Sequence, residues 1–202
     1  KHTYRTLIFL PAMMSIVIVG YLFNLILSNL WGIPQTILGV VGLEHIYQPW
    51  LGLKGPALIT ISLISIWQFV GIPMMLFYAA LLNIPDEILD AAKIDGSGPI
   101  KTFWFIKFPL ILPTVGLMVI LTYVGNYNAF DLIFAMKSLY AGPEYSTDLM
   151  GTFFYRTFFG FQMQLGNPTM GATVASTTFG IILLGVLIYL FAFQQRVTRY
   201  QY

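Results

Sequence analysis

The chain has 202 residues, 57% of them hydrophobic and 9% charged, with a formal net charge of +2 and a mean hydropathy of +0.78. Soluble domains carry roughly 25% charged residues, so water is not the main solvent of this sequence. So small and dispersed a charge makes no nucleic-acid surface, and the absence of cysteine excludes disulfides, thiolate nucleophiles and Cys-ligated metals.

At the amino end, Lys1 to Thr6 lead into an apolar stretch too long for a signal-peptide h-region and without a small-residue cleavage site. It reads as a first membrane span, Leu7 to Leu30. A second runs from Ala57 to Leu82, a third from Phe108 to Phe130 and a fourth from Gly171 to Phe193, and none of the four holds Lys, Arg, Asp or Glu. Each meets the rule of roughly 20 apolar residues for a helix that crosses the hydrocarbon layer. Backbone groups in lipid must be satisfied within the segment, and the alternating strands of a barrel are missing. The expected fold is therefore all-α, a polytopic transmembrane helical bundle forming a single domain over residues 1–202.

Basic residues set the orientation, because Lys and Arg in short loops stay on the cytoplasmic side. Termini inside place Lys1, Arg5, Lys93, Lys101, Lys107, Arg196 and Arg199 in the cytoplasm, and Lys54, Lys137 and Arg156 outside. Trp31, Trp50, Trp104, Tyr200 and Tyr202 suit the interfacial belt, and equally suit packing in the bundle.

The second connection, residues 83–109, is the most informative. Pro85 opens a helix, Asp86 and Glu87 favour its positive end, and Gly96-Ser97-Gly98-Pro99 stops it before a second short helix. Ile88, Leu89, Ala91, Ala92 and Ile94 offer apolar contact while Asp86, Asp90, Lys93 and Asp95 offer polar contact, a surface suited to a partner protein. The run Gly96 to Thr102 is not a phosphate-binding loop. Pro99 removes an amide and Ile100 separates Gly98 from Lys101.

Asp90-Ala91-Ala92, then Gly96, Ile106 and Phe108-Pro109, resembles the cytoplasmic coupling (EAA) loop of ABC importer permeases, whose pattern is Glu-Ala-Ala, three residues, Gly, nine residues, Ile, one residue, Leu-Pro. Asp90 and Phe108 depart conservatively. Ile84-Pro85 and Asp95-Gly96 resemble the carbohydrate branch, with maltose-type and multiple-sugar permeases, and Trp67, Gly71, Pro73 and Phe130-Asp131 extend the likeness over the chain. The resemblance implies a type I importer permease core in the bacterial or archaeal inner membrane, the four spans here being the carboxyl-terminal set and two earlier ones expected before Lys1. It also implies coupling through Asp90, Ala91, Ala92, Asp95, Gly96, Ile106 and Pro109 to two ATPase subunits. The chain itself would be no enzyme, with no cofactor and no catalytic or metal-binding residue; ATP and Mg belong to the ATPases. The other implied partners are a second permease subunit, in a heterodimer, an extracytoplasmic solute-binding protein and the lipid membrane.

Polar groups in a span are costly unless they face a cavity or another helix. Gln68, Gly71 and Met74 in the second span, and Thr122, Asn126, Tyr127 and Asn128 toward the outer part of the third, are the candidate substrate path, to which the resemblance adds Gly125 and Ala129. Amides and aromatics without a fixed charge suit an uncharged sugar. Gly71, Met74, Gly125, Asn126 and Ala129 are the positions that the maltose-type resemblance aligns with sugar contacts. Hydrogen bonding between helices is an equal alternative for Asn126 and Asn128.

Residues 131–170 form an extracytoplasmic loop punctuated by Gly142-Pro143-Glu144 and Gly166-Asn167-Pro168. Phe153, Phe154, Phe158, Phe159 and Phe161 around Arg156 suit either the headgroup zone or packing on the bundle. Tyr145, Asp148 and Arg156 are weak candidates for contact with the solute-binding protein. His2 and His45 are isolated and give no metal site. The alternative class is an ion-gradient-driven secondary transporter or channel, which would carry ionisable groups in its spans. An intramembrane enzyme would need paired aspartates, His-Glu-x-x-His or Ser with His, and the spans hold none of these.

Overall fold

A computed structural model of the chain describes residues 2–28, 33–43, 45 and 47–191. Lys1, Trp31, Arg196, Arg199, Tyr200, Tyr202 and the expected span ends at Leu30 and Phe193 lie outside these residues. In chain order the helices are α1 (His2–Phe9), which runs into a 3-10 turn (Leu10–Met13), α2 (Ile16–Ile26), α3 (Ile33–Val40), α4 (Pro56–Phe69), α5 (Gly71–Leu82) and α6 (Asp86–Ile94). There follow α7 (Pro99–Thr102), a π turn (Phe103–Lys107), α8 (Phe108–Tyr127), α9 (Asp131–Lys137) with a 3-10 turn (Ser138–Tyr140), α10 (Met150–Phe159) and α11 (Pro168–Tyr189). Among the described residues the only strands are β1 (Gly160–Phe161) and β2 (Gln164–Leu165), a two-stranded antiparallel ladder. The all-α class expected from composition is the one the chain adopts.

Among the described residues two helices are long enough to span unbroken: 29 residues from Pro99 to Tyr127, and 22 from Pro168 to Tyr189. The helix that carries the expected third span thus begins at Pro99, nine residues before Phe108. The short second helix expected in the 83–109 connection is its first turns, joined to α8 through the π turn, a local widening that absorbs an extra residue. Leu183, Leu184, Leu187 and Ile188 stand exposed along α11, and a helix apolar all round belongs in lipid or against another subunit.

The first two expected spans are not single straight helices. Thr3–Met13 and Ile16–Ile26 meet at 94°, and Pro56–Phe69 and Gly71–Leu82 at 43°. In the first, Pro11 has no N–H for the carbonyl one turn back, and Met14 and Ser15 swing to extended ψ values of 144° and 131°. In the second, Pro73 denies the carbonyl of Phe69 its donor and the helix bends there, while Val70 keeps helical φ and ψ and its bonds to Ile66 O and Met74 N.

The hydrophobic core lies between α2, α4 and α9. Val19, Ile61, Ile64, Leu132, Ile133 and Met136 meet there, joined by Leu51 and Ala141. Gly20 lets α2 approach α9: a Cβ at this position would sit 2.7 Å from that of Ala135. Phe23 meets Trp67 edge to face at 5.3 Å. The opening of the 131–170 segment is therefore packed into the core, because Leu132, Ile133 and Met136 form one apolar helix face. At the other side α10 packs on α11, with Gly171 against the ring of Phe158, and Tyr123 of α8 donates to the carbonyl of Ile181 on α11 at 2.8 Å over Gly185.

Candidate functional site

The 83–109 connection is built by a helix stop that only glycine makes easily. Helix α6 ends as Gly96 takes a left-handed φ of +73°, which lets Ser97 N–H donate to Ala92 O at 2.9 Å and Gly96 N–H to Lys93 O at 3.0 Å. The chain then re-enters a helix at Pro99, whose missing N–H costs nothing at a first turn. Thr102 Oγ1 donates back to Gly98 O at 3.0 Å, tying the new helix to the turn.

Within this turn Ala92 is buried, while Asp90, Ala91, Asp95 and Gly96 are exposed. Asp90 Oδ1 accepts from Lys93 Nζ at 2.7 Å, a solvent-exposed pair that raises the lysine's pKa, chiefly through that hydrogen bond, and leaves the carboxylate open to a partner. Ile106 lies half-buried in the π turn and Pro109 half-buried in the first turn of α8, so the matched positions Asp90 to Pro109 occupy one helix-turn-helix. Ile94 is 86% exposed and Ile100 76%; such apolar surface in one turn needs a cover.

The candidate path residues divide into two groups. Thr122, Gly125 and Asn126, spaced along one face of α8, are all exposed, and nothing lies within 4 Å of where a Cβ of Gly125 would stand. Ala129 and Tyr127 are half-buried beside this face, and Tyr127 packs on Tyr123 at 5.0 Å. Asn128 Nδ2 donates to Val124 O at 3.1 Å and so closes its own helix instead of linking two.

Gln68 and Gly71, by contrast, are covered. Gln68 is 1% exposed and its Nε2 donates to Met14 O at 3.2 Å. A Cβ on Gly71 would fall 2.7 Å from Phe9 Cα and 2.8 Å from Ile8 O. In this structure both residues serve contact with the first broken span, and Met74, one turn on, is half-buried. Proximity of residues 54 apart in the chain leaves no signal in a sequence window.

The three bases that the sequence places outside are all engaged. Lys54 Nζ lies 2.6 Å from Glu144 Oε2, Lys137 Nζ donates to Leu51 O at 2.5 Å with burial pulling its pKa down, and Arg156 Nη2 lies 2.6 Å from Asp148 Oδ2. Arg156 and Asp148 are therefore corrected from surface candidates to an internal pin. Tyr145, 58% exposed, lies with its ring 4.6 Å from the guanidinium. Of the aromatic cluster around Arg156, Phe154 and Phe158 pack on each other and Phe158 on Gly171, while Phe153 and Phe159 are exposed.

Comparison with known proteins bears on what this turn and this face do. Residues 1–199 match the family described as binding-protein-dependent transport system inner membrane component. A probable ABC transporter permease protein of Bacillus subtilis, YurN, is 30% identical over 171 residues, covering 85% of this chain and 58% of that protein. The multiple sugar-binding transport system permease protein MsmF of Streptococcus mutans is 32% identical over 182 residues, covering 90% and 61%. The chain thus spans about three fifths of the length of these relatives. Among solved structures, a bacterial alginate ABC transporter in complex with an alginate pentasaccharide-bound periplasmic protein superposes with a TM-score of 0.73 at 25% identity, covering 95% of this chain and 63% of that one.

Proposed function

We propose, because this chain belongs to the family of binding-protein-dependent transport system inner membrane components, that it is a transmembrane subunit of an ATP-driven importer, forming part of the passage for a sugar or oligosaccharide. The family match over residues 1–199 carries the reading, and two of the proteins it resembles are named for a multiple-sugar system and for alginate transport. Such a permease is a membrane component and not an enzyme; ATP and Mg would be bound by two separate ATPase subunits. In this reading α6 and the Gly96 turn face the cytoplasm and seat in an ATPase cleft, Asp90 meeting a base there. A short helix clamped by a partner transmits rigid-body motion that a slack loop would lose.

Thr122, Gly125 and Asn126 then line the path, with the companion permease, a different subunit, closing the other side. Hydrogen-bond donors and acceptors beside aromatic rings, with no fixed charge, suit a hydroxylated ligand. The residues 131–170 lie on the side where the solute-binding protein docks.

The test is reconstitution of the full-length permease in liposomes with its companion, ATPases and cognate binding protein, followed by uptake from a panel of labelled oligosaccharides. Uptake that requires ATP and the binding protein supports the reading. Uptake driven by an ion gradient alone would replace it with a secondary transporter, and ATP-driven uptake of a solute other than a glycan would remove the sugar assignment.

A further inference from the structure

Both broken spans break at the same place. The first opens at Met14 and Ser15, the second bends by 43° between Phe69 and Gly71, and Gln68, beside the second bend, reaches the first. Because Met14 is extended, its carbonyl has left the helical ladder, and an unpaired carbonyl away from water is costly. Gln68 Nε2 answers it, 3.2 Å away, while Gln68 Oε1 is buried with no hydrogen-bond partner among the described residues. One turn further, Gly71 lets the backbone at Ile8 and Phe9 ride directly over the second break.

On either side of this crossing lie two differently packed bodies. The core cluster draws its helical residues from α2, α4 and α9, and none from α1 or α5. Helices α1 and α5 clasp each other, through Gly71 under Phe9 and Arg5 3.5 Å from the centre of the Tyr78 ring, and α5 also packs along α8, which moves with them. Helix α5 leads within four residues to α6, the docking helix of the proposed function.

We infer that the crossing of Met14–Ser15 with Gln68–Gly71 is a hinge inside this subunit, about which the α1–α5 arm turns against the α2–α4–α9 core, and that Gln68 is the positioning residue that fixes the angle. The inference rests on the proposed ATP-driven function, since that supplies the force on α6. A motion of α6 is carried by the clasped arm to the junction, where the Gln68–Met14 hydrogen bond and the two non-helical residues Met14 and Ser15 are the groups that yield. The Oε1 is an acceptor with no donor on it, so a second arrangement, in which an N–H meets that oxygen, is open to the amide and would be closed to a fully satisfied side chain.

The chain has no cysteine, so a spin-label pair can be introduced at Leu7 on the arm and Ile59 on the core, both exposed. Distances are read in the full assembled transporter without nucleotide and with trapped ATP. Two distances, one favoured by each state, are expected, and Gln68→Met should shift the ratio between them about tenfold, the factor available from one buried hydrogen bond. A single distance in both states overturns the hinge, and it does so whether or not the variant assembles. A Gln68→Met protein with lowered thermal stability but an unchanged ratio reduces Gln68 to a packing residue. Gln68→Asn, which keeps the donor on a shorter arm, should fall between the two. The functional reading fails separately, if the unlabelled wild-type assembly hydrolyses no ATP.

Discussion

Arg156 and Asp148 form a pin inside the 131–170 segment: Nη2 lies 2.6 Å from Oδ2, and the two side chains keep only 10% and 19% of their exposure. Arg156 Nη1 also donates to Leu139 O at 3.0 Å, and Thr152 Oγ1 to Asp148 Oδ1 at 2.6 Å. The pair thus ties α10 to Leu139, in the middle of the 3-10 turn that follows α9.

Removing one partner of such a pair strands the other charge. Asp148→Ala should lower stability by about 3–5 kcal/mol, whereas the double change Asp148→Leu with Arg156→Met should cost less than either single change. Thermal unfolding of the purified, detergent-solubilised permease compares them. A double variant as damaged as the sum of the singles would remove the pin.

Gly71 lies under backbone, not under a movable side chain, so Gly71→Val must displace α1. The expected loss is about 1–3 kcal/mol, and cross-linking between cysteines placed on α1 and α5 should become inefficient. Unaltered cross-linking would show that α1 is not displaced and that Gly71 does not set the approach of the two helices.

At Gly96 the left-handed φ of +73° sets the helix stop. Gly96→Val should cost about 1–2 kcal/mol and speed hydrogen exchange at the Ser97 amide, while Gly96→Asn should be nearly tolerated. Equal exchange in both variants would mean that the turn is held by other contacts.

Asp90→Lys reverses the charge on an exposed face and sets it against Lys93 three residues on. In the reconstituted complex it should abolish substrate-stimulated ATP hydrolysis with little change in affinity for the solute-binding protein. Normal stimulated hydrolysis would take Asp90 out of the contact.

Asn126 and Asn128 separate cleanly. Asn126 faces outward on α8, whereas Asn128 closes its own helix. Asn126→Leu should weaken oligosaccharide uptake with assembly intact, and Asn128→Leu should cost about 1 kcal/mol of stability with uptake retained. Initial uptake rates and the yield of assembled complex distinguish them; equal uptake for both would assign Asn126 to packing.

The run of charges and glycines between Asn83 and Pro109 was legible because each signal is local: Asp86 at a helix start, Gly96 at its stop, Pro99 at the next start. The breaks had a local signal too. Pro11 and Pro73 stand inside apolar stretches that length alone counts as continuous. The burial of Leu132, Ile133 and Met136 was hidden by their neighbours, since Asp131 and Lys137 make the short helix look like a solvated connection.

Composition and spacing by themselves determined that this chain lives in a membrane, is helical and carries a helix-turn-helix at residues 83–109, because transfer to lipid and helix capping depend on a residue and its near neighbours. Only the tertiary structure decided that Gln68 answers Met14, that Gly71 lies beneath Phe9 and that Arg156 is neutralised within the fold. Those pairings satisfy groups freed by a broken ladder or buried by packing, and which group is freed is known only once the helices have met.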